Sequence, residues 1–183
     1  MEEQYTHTMR RVLKYGAFAF VAVAILYGLY LLAQNAEPKS EDFSRAVSEM
    51  EATHIATDSP LSEYNSNPPT SGPHYVQTAK SGFREEEIPD QNIIHNLEHG
   101  DVWIAYHPRI SETVMEGLKQ FAAAKVIITP RTANETDIAL VAWGRLDTFN
   151  IENDVLPEQR IKDFIARYSN KGPERVPGAS GGI

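Results

Sequence analysis

Three histidines and one glutamate stand where side chains of their kind do metal or acid–base chemistry: His74 at the end of SGPH, then His95, Glu98 and His99 in HNLEH. Imidazole is a common ligand for borderline cations, and a carboxylate beside it can complete the ligand set or take a proton from bound water. What His95 and His99 can do together depends on the backbone. In a helix ended by Gly100 the i, i+4 spacing stacks them about 6 Å apart at Cβ, close enough to share one ion. In a strand continuing into DVWIAY they share a face but stand about 13 Å apart, beyond the reach of one ion. Asp90 before the segment and Gly100 after it favour the helix, against the mediocre helix formers Asn92, Ile93, Ile94 and Asn96. A third ligand is expected from His74, with Glu98 and His107 behind it. The predicted metal set is His74, His95 and His99, and the predicted cofactor is one transition-metal ion, Cu or Zn. Hard cations such as Ca²⁺ prefer oxygen cages.

HNLEH also fits H-x-x-E-H, the inverted zinc-peptidase motif, in which Glu98 would be the catalytic base. Structural roles stay open beside these: His74 hydrogen-bonding a loop carbonyl, Glu98 pairing with Arg84, Arg109 or Arg145, and His95 and His99 closing a helix whose C-terminus favours cations. Serine catalysis has only Ser71 in TSGPH, without a G-x-S-x-G elbow. Trp103 and Trp143 read as core residues. The chain has no cysteine, which excludes thiolate metal sites, CxxC redox chemistry and a cysteine nucleophile. A formal charge of −8 and a pI near 5.2 predict no nucleic-acid partner, since neutralising phosphates takes clustered Lys and Arg.

The elements that position these residues follow an N-terminal apolar run. From Tyr15 to Ala33 the chain reads YGAFAFVAVAILYGLYLLA with no charge, long enough as a helix to cross the roughly 30 Å hydrocarbon core. Arg10, Arg11 and Lys14 precede it, and Glu37, Glu41 and Asp42 follow it. The positive-inside bias therefore predicts a single-pass cell-membrane protein with residues 1–14 in the cytoplasm, a bilayer anchor at 15–33 and the main domain extracytoplasmic. A cleaved signal peptide fits less well, because the apolar run is long and LLAQNAE is a poor cleavage site.

Residues 34–56 read as a linker and a juxtamembrane amphipathic helix, with Ser40 capping EDFSRAVSEMEATH and Phe43, Ala46, Val47 and Met50 at helical spacing. The extracytoplasmic domain is predicted over 57–168. It opens on a long Pro-rich loop through YNSNPPTSGPHY, with Tyr64 and Tyr75 favouring an ordered course. DVWIAYHP reads as a buried strand and Ser111 caps a helix to about Ala124. KVIITP and IALVAWG read as strands paired in a hairpin, and Pro157 starts a helix to Tyr168. This order predicts an α+β fold: a small two-layer domain with a mixed or antiparallel sheet and helices on it. Residues 169–183 have the composition of a flexible tail.

Taken in order, YNSNPPTSGPHY, IIHNLEHGDVWIAYHP, IALVAWGRLD and GPERVPGASGG resemble an uncharacterised bacterial family of membrane-anchored proteins, the domain of unknown function 3105 family. The resemblance covers most of Tyr64 to Gly182. Its motifs PPTSGPH and HxLEHG carry over as Pro68, Pro69, Thr70, Ser71, Gly72, Pro73 and His74, and as His95, Leu97, Glu98, His99 and Gly100. It implies one N-terminal hydrophobic helix before an exported domain, with the two motifs in one site or one latch. Relatives often carry a cysteine near the tail, where this chain reads GASGGI. Three functions remain in view: a membrane-anchored transition-metal-binding module, a metal-dependent hydrolase using Glu98, and a metal-free interaction subunit of a membrane protein complex.

Overall fold

The computed structural model describes residues 2–59 and 63–174. Its contacts divide the chain into Met1–Pro38 and Lys39–Ile183. The first unit is helix α1 (Glu2–Ala36). Its stretch Leu13–Gln34 is long and apolar enough to cross a membrane, and none of it is buried against protein.

The second unit is built on a six-stranded mixed sheet. Its elements are β1 (Arg45–Ala46), β2 (His54–Ile55), β3 (His74–Tyr75), β4 (Gly82–Phe83), α2 (Asp90–Glu98), β5 (Val102–Tyr106), α3 (Glu112–Leu118), β6 (Val126–Pro130), β7 (Ile138–Ala142), β8 (Arg145–Phe149) and α4 (Glu158–Tyr168). The sheet order is β1-β8-β7-β5-β6-β4, while β2 and β3 form a separate parallel pair. Central strand β5 is buried on both faces. Val102, Ile104 and Tyr106 pack with Leu118, Phe121, Ile161 and Phe164 from the α3 and α4 side. Trp103 and Ala105 pack on the other face with Ile93 and Leu97 of α2. Alternation along a strand sends neighbouring side chains to opposite faces, so helices cover both sides and α2 adds a layer to the two expected.

The α+β architecture with a mixed sheet is as the sequence predicts, but three local expectations fail. No helix forms over 41–54: the segment contains only the short strands β1 and β2, and Phe43 is half exposed. Its helical spacing is overridden by docking, with β1 pairing with β8 and Val47 N donating to Gly144 O at 3.0 Å. The hairpin expected between β6 and β7 is absent. Strand β5 lies between them, parallel to β6 through the α3 crossover and antiparallel to β7, and the hairpin partner of β7 is β8. The flexible tail expected from 169 is docked as far as Glu174; the remainder, 175–183, lies outside the described residues.

The chain enters this domain through α4. Buried Asp163 accepts hydrogen bonds from the backbone N–H groups of Lys39 and Ser40 and from Gln159. Burial by itself raises the Asp163 carboxyl, but the Ser40, Lys39 and Gln159 donors outweigh it and hold the group well below the ordinary carboxylate range. A carboxylate depressed in the folded state contributes stability that is complete above its unfolded value near 4 and is lost as pH falls toward the folded value. Asp163→Ala is expected to lower the unfolding free energy by about 1–3 kcal/mol at neutral pH. In urea melts of the detergent-solubilised chain the gap to wild type should narrow below about pH 4; a gap that stays constant down to about pH 2 contradicts this account.

Candidate metal centre

Helix α2 supplies the rigid part of the site. It ends in two reciprocal turns: Gly100 N donates to Leu97 O at 2.9 Å and Asp101 N to Asn96 O at 2.9 Å. Gly100 takes a positive φ of 83°. This is the Schellman arrangement, which satisfies carbonyls that a helix end would otherwise leave open. The helix choice for HNLEH is thereby met, and His95, Glu98 and His99 project from one side of its last turn.

Two amides explain why mediocre helix formers occupy α2. Buried Asn96 accepts from Ala79 N at 2.7 Å and donates to Ala79 O at 3.0 Å and to Asp101 Oδ2 at 2.9 Å. Asn92 donates to Gln77 O at 2.7 Å. Together they staple the segment after β3 to the helix. That brings the Tyr75 carbonyl within 2.9 Å of His95 Nδ1.

The Pro-rich segment delivers His74. Pro68, Pro69, Thr70, Ser71 and Gly72 are buried, and the stretch is tied down by Tyr64 Oη donating to Pro73 O at 2.6 Å, Met50 N to Ser71 Oγ at 2.9 Å and Arg131 Nη1 to Asn67 Oδ1 at 2.6 Å. His74 Nδ1 lies 2.8 Å from Gly72 O. Since a carbonyl only accepts, hydrogen-bond logic assigns the proton to Nδ1 in both His74 and His95, and the Nε2 lone pairs point away from the backbone.

Those lone pairs meet a third ring that the sequence reading did not select. His54 is the cross-strand partner of His74 in the β2–β3 ladder. The ring centroids of His54, His74 and His95 are each 4.9 Å from the other two. One ligand atom from each of His54, His74, His95 and Glu98 lies within 4.8 Å of all the others, a set able to hold a metal ion. His74 and His95 are buried, Glu98 is partly buried and His54 is exposed, so the cluster opens to solvent at His54.

His74 Nε2 stands 3.2 Å from Glu98 Oε2, yet it is buried and has no hydrogen-bond partner. Burial, above all, pushes the His95 imidazole below its ordinary value. The rings of His99, His74 and His54 push the same way, against the Tyr75 carbonyl. His95 is therefore a neutral base at neutral pH.

Of the other expected ligands, His99 sits beside His95 with ring centroids 4.6 Å apart, but its Nε2 faces Glu174 Oε2 at 3.3 Å. It belongs to a second group with Glu98 and Glu174. His107 is elsewhere, accepting from Arg109 N. Arg109 pairs with Asp137 and not with Glu98. A strand signal for His54 was present: β-branched Thr53, Ile55 and Thr57 alternate around it, a pattern that disfavours helix.

Residues 54–180 match the family described as protein of unknown function (DUF3105). The chain belongs to the DUF3105 family. No curated protein and no solved structure matches the chain. The DUF3105 match starts at His54 and runs past Glu174, so it contains both His/Glu groups.

The end of α2 also receives the segment after α4. Asn170 N donates to Gly100 O at 2.7 Å and Glu174 N to Glu98 O at 3.0 Å. A Cβ on Gly100 would sit 2.8 Å from Asn170 Cα, and the residue would keep a backbone conformation costing roughly 1–2 kcal/mol for other L-residues. Gly100→Ala is therefore expected to destabilise the fold by at least about 2 kcal/mol. Thermal unfolding checks this, and a variant within about 0.5 kcal/mol of wild type contradicts it.

Proposed function

We propose that this DUF3105 protein is a membrane-anchored module that binds one transition-metal ion, Zn²⁺ or Cu²⁺, through His54, His74, His95 and Glu98 on the extracytoplasmic side. The observation that carries the reading is the convergence of one ligand atom each from His54, His74, His95 and Glu98 within 4.8 Å, with His74 Nε2 buried, 3.2 Å from Glu98 Oε2 and without a hydrogen bond. A cation held between the ring nitrogen and the carboxylate would satisfy both. Nitrogen and oxygen donors at roughly 2.1 Å from a tetrahedral ion stand about 3.4 Å apart, so ligand atoms already within 4.8 Å need only small side-chain adjustments. The carbonyl contacts at Nδ1 of His74 and His95 are outer-sphere bonds of the kind that orient metal-binding imidazoles.

Borderline imidazole donors with one carboxylate suit Zn²⁺ and Cu²⁺, and Cu²⁺ stands highest in affinity order among divalent first-row ions. Glu98 converges on the ligand atoms, which supports a ligand role over that of a base acting through water. The exposed His54 provides the entry path. The proposed set keeps His74 and His95 from the three expected from sequence, puts His54 in the place of His99 and adds Glu98.

For α1, the reading is an uncleaved anchor. Its apolar stretch follows Arg10, Arg11 and Lys14, which supports a cytoplasmic N-terminus.

Full-length protein purified in detergent and loaded with Zn²⁺ is expected to retain metal through gel filtration by elemental analysis. His74→Ala and His54→Ala should each reduce retention at least tenfold, in line with loss of a ligand or more. Metal-free wild type after loading overturns the metal reading. Because the chain has no cysteine, Asp58→Cys should react with an impermeant maleimide on intact spheroplasts while Glu3→Cys reacts only after lysis. The anchor reading also requires the membrane-bound protein to keep its full 20.5 kDa mass.

A further inference from the structure

We infer that Glu98 bridges two metal ions: the one held by His54, His74 and His95, and a second divalent transition-metal ion held by His99 and Glu174. This rests on the metal-binding reading above and adds a second site to it. One ligand atom from each of Glu98, His99 and Glu174 lies within 4.8 Å of the others, and Glu98 is common to both groups. A carboxylate has two oxygens, and two-metal sites hold their ions about 3.5–4 Å apart.

The electrostatics of this corner call for a cation independently of the donor geometry. Glu98 is the last residue of α2, where the helix carries partial negative charge and a carboxylate is disfavoured. The chain nevertheless brings a second carboxylate, Glu174, to the same end. The ammonium of Lys125 lies at this helix end. It donates to His99 O at 2.8 Å and lies 3.3 Å from Asp101 Oδ1, so its charge is committed to the buried Asp101.

Glu174 is also held in place. Its N–H is fixed to Glu98 O, and buried Gly172 passes so close to the helix end that a Cβ there would lie 2.1 Å from Glu98 O and 2.4 Å from Gly100 N. Only glycine permits that approach. A backbone crossing this tight, ending on a carboxylate that faces an imidazole across 3.3 Å, is a built ligand arm. Because the Glu174 side chain is 58% exposed, the second ion would keep solvent ligands and bind more weakly than the first.

The test titrates detergent-solubilised full-length protein with Cu²⁺ and counts bound copper after gel filtration, with electron paramagnetic resonance on the same samples. Two coppers per chain are expected, with spin intensity well below two because a carboxylate bridge couples the pair. Glu174→Ala, a surface change that leaves the fold intact, should give one copper with full uncoupled intensity. Gly172→Ala should weaken the second copper at least tenfold. Equal copper counts in wild type and Glu174→Ala overturn the bridge. If the single copper is then lost in His74→Ala, the first reading stands alone; if no copper binds at all, the bridge falls, and the first reading falls with it when Zn²⁺ is not retained either.

Discussion

A neutral imidazole has one N–H and one lone pair, so fixing the first decides where the second points. In this domain two backbone carbonyls do that fixing. Gly72 O takes His74 Nδ1, Tyr75 O takes His95 Nδ1, and both Nε2 atoms are thereby turned toward a shared space. The proline-rich course before β3 and the side-chain amides of α2 serve this arrangement, because each holds one of the two carbonyls at the required place. Desolvation of the rings makes it consequential: buried lone pairs gain nothing from water and need an electropositive partner.

The staple between α2 and the segment after β3 is made by side chains, and this shapes the fold locally. Asn96 reads both the N–H and the C=O of Ala79, as a neighbouring strand would, so a loop that is not itself in the sheet is held with sheet-like definition. The same residue donates to Asp101, linking the loop to the turn that leads into β5. Loop, helix and central strand thus meet at one buried amide, whose three bonds are each of the kind that is costly to leave unmade.

Much of this was legible from residue types. Asp90 and Gly100 bracket a helix, β5 and β7 are continuous apolar runs, and α3 and α4 show helical stripes. What escaped has physical reasons. His54 lies in a two-residue strand, and the short β-branched alternation of Thr53, Ile55 and Thr57 around it is outweighed by the longer helical spacing of Phe43, Val47 and Met50. The insertion of β5 between β6 and β7 is a non-local pairing, which no local pattern records. The low helix propensity of Asn92 and Asn96 is the trace of their tertiary role. The segment around Gly172 has the composition of a loose end, and its docking depends on one missing Cβ and not on any run of residues.

The grip of Asp163 on Lys39 and Ser40 has a mechanical consequence. It fastens the chain to α4 before the stretch that leads to His54, and β1 fastens it again against β8. Any pull arriving along the backbone from the N-terminal side is borne first by these two fastenings, whose load passes into α4 and the sheet. The arrangement works as a strain relief on a cable, isolating the exposed imidazole of His54 from tension applied upstream.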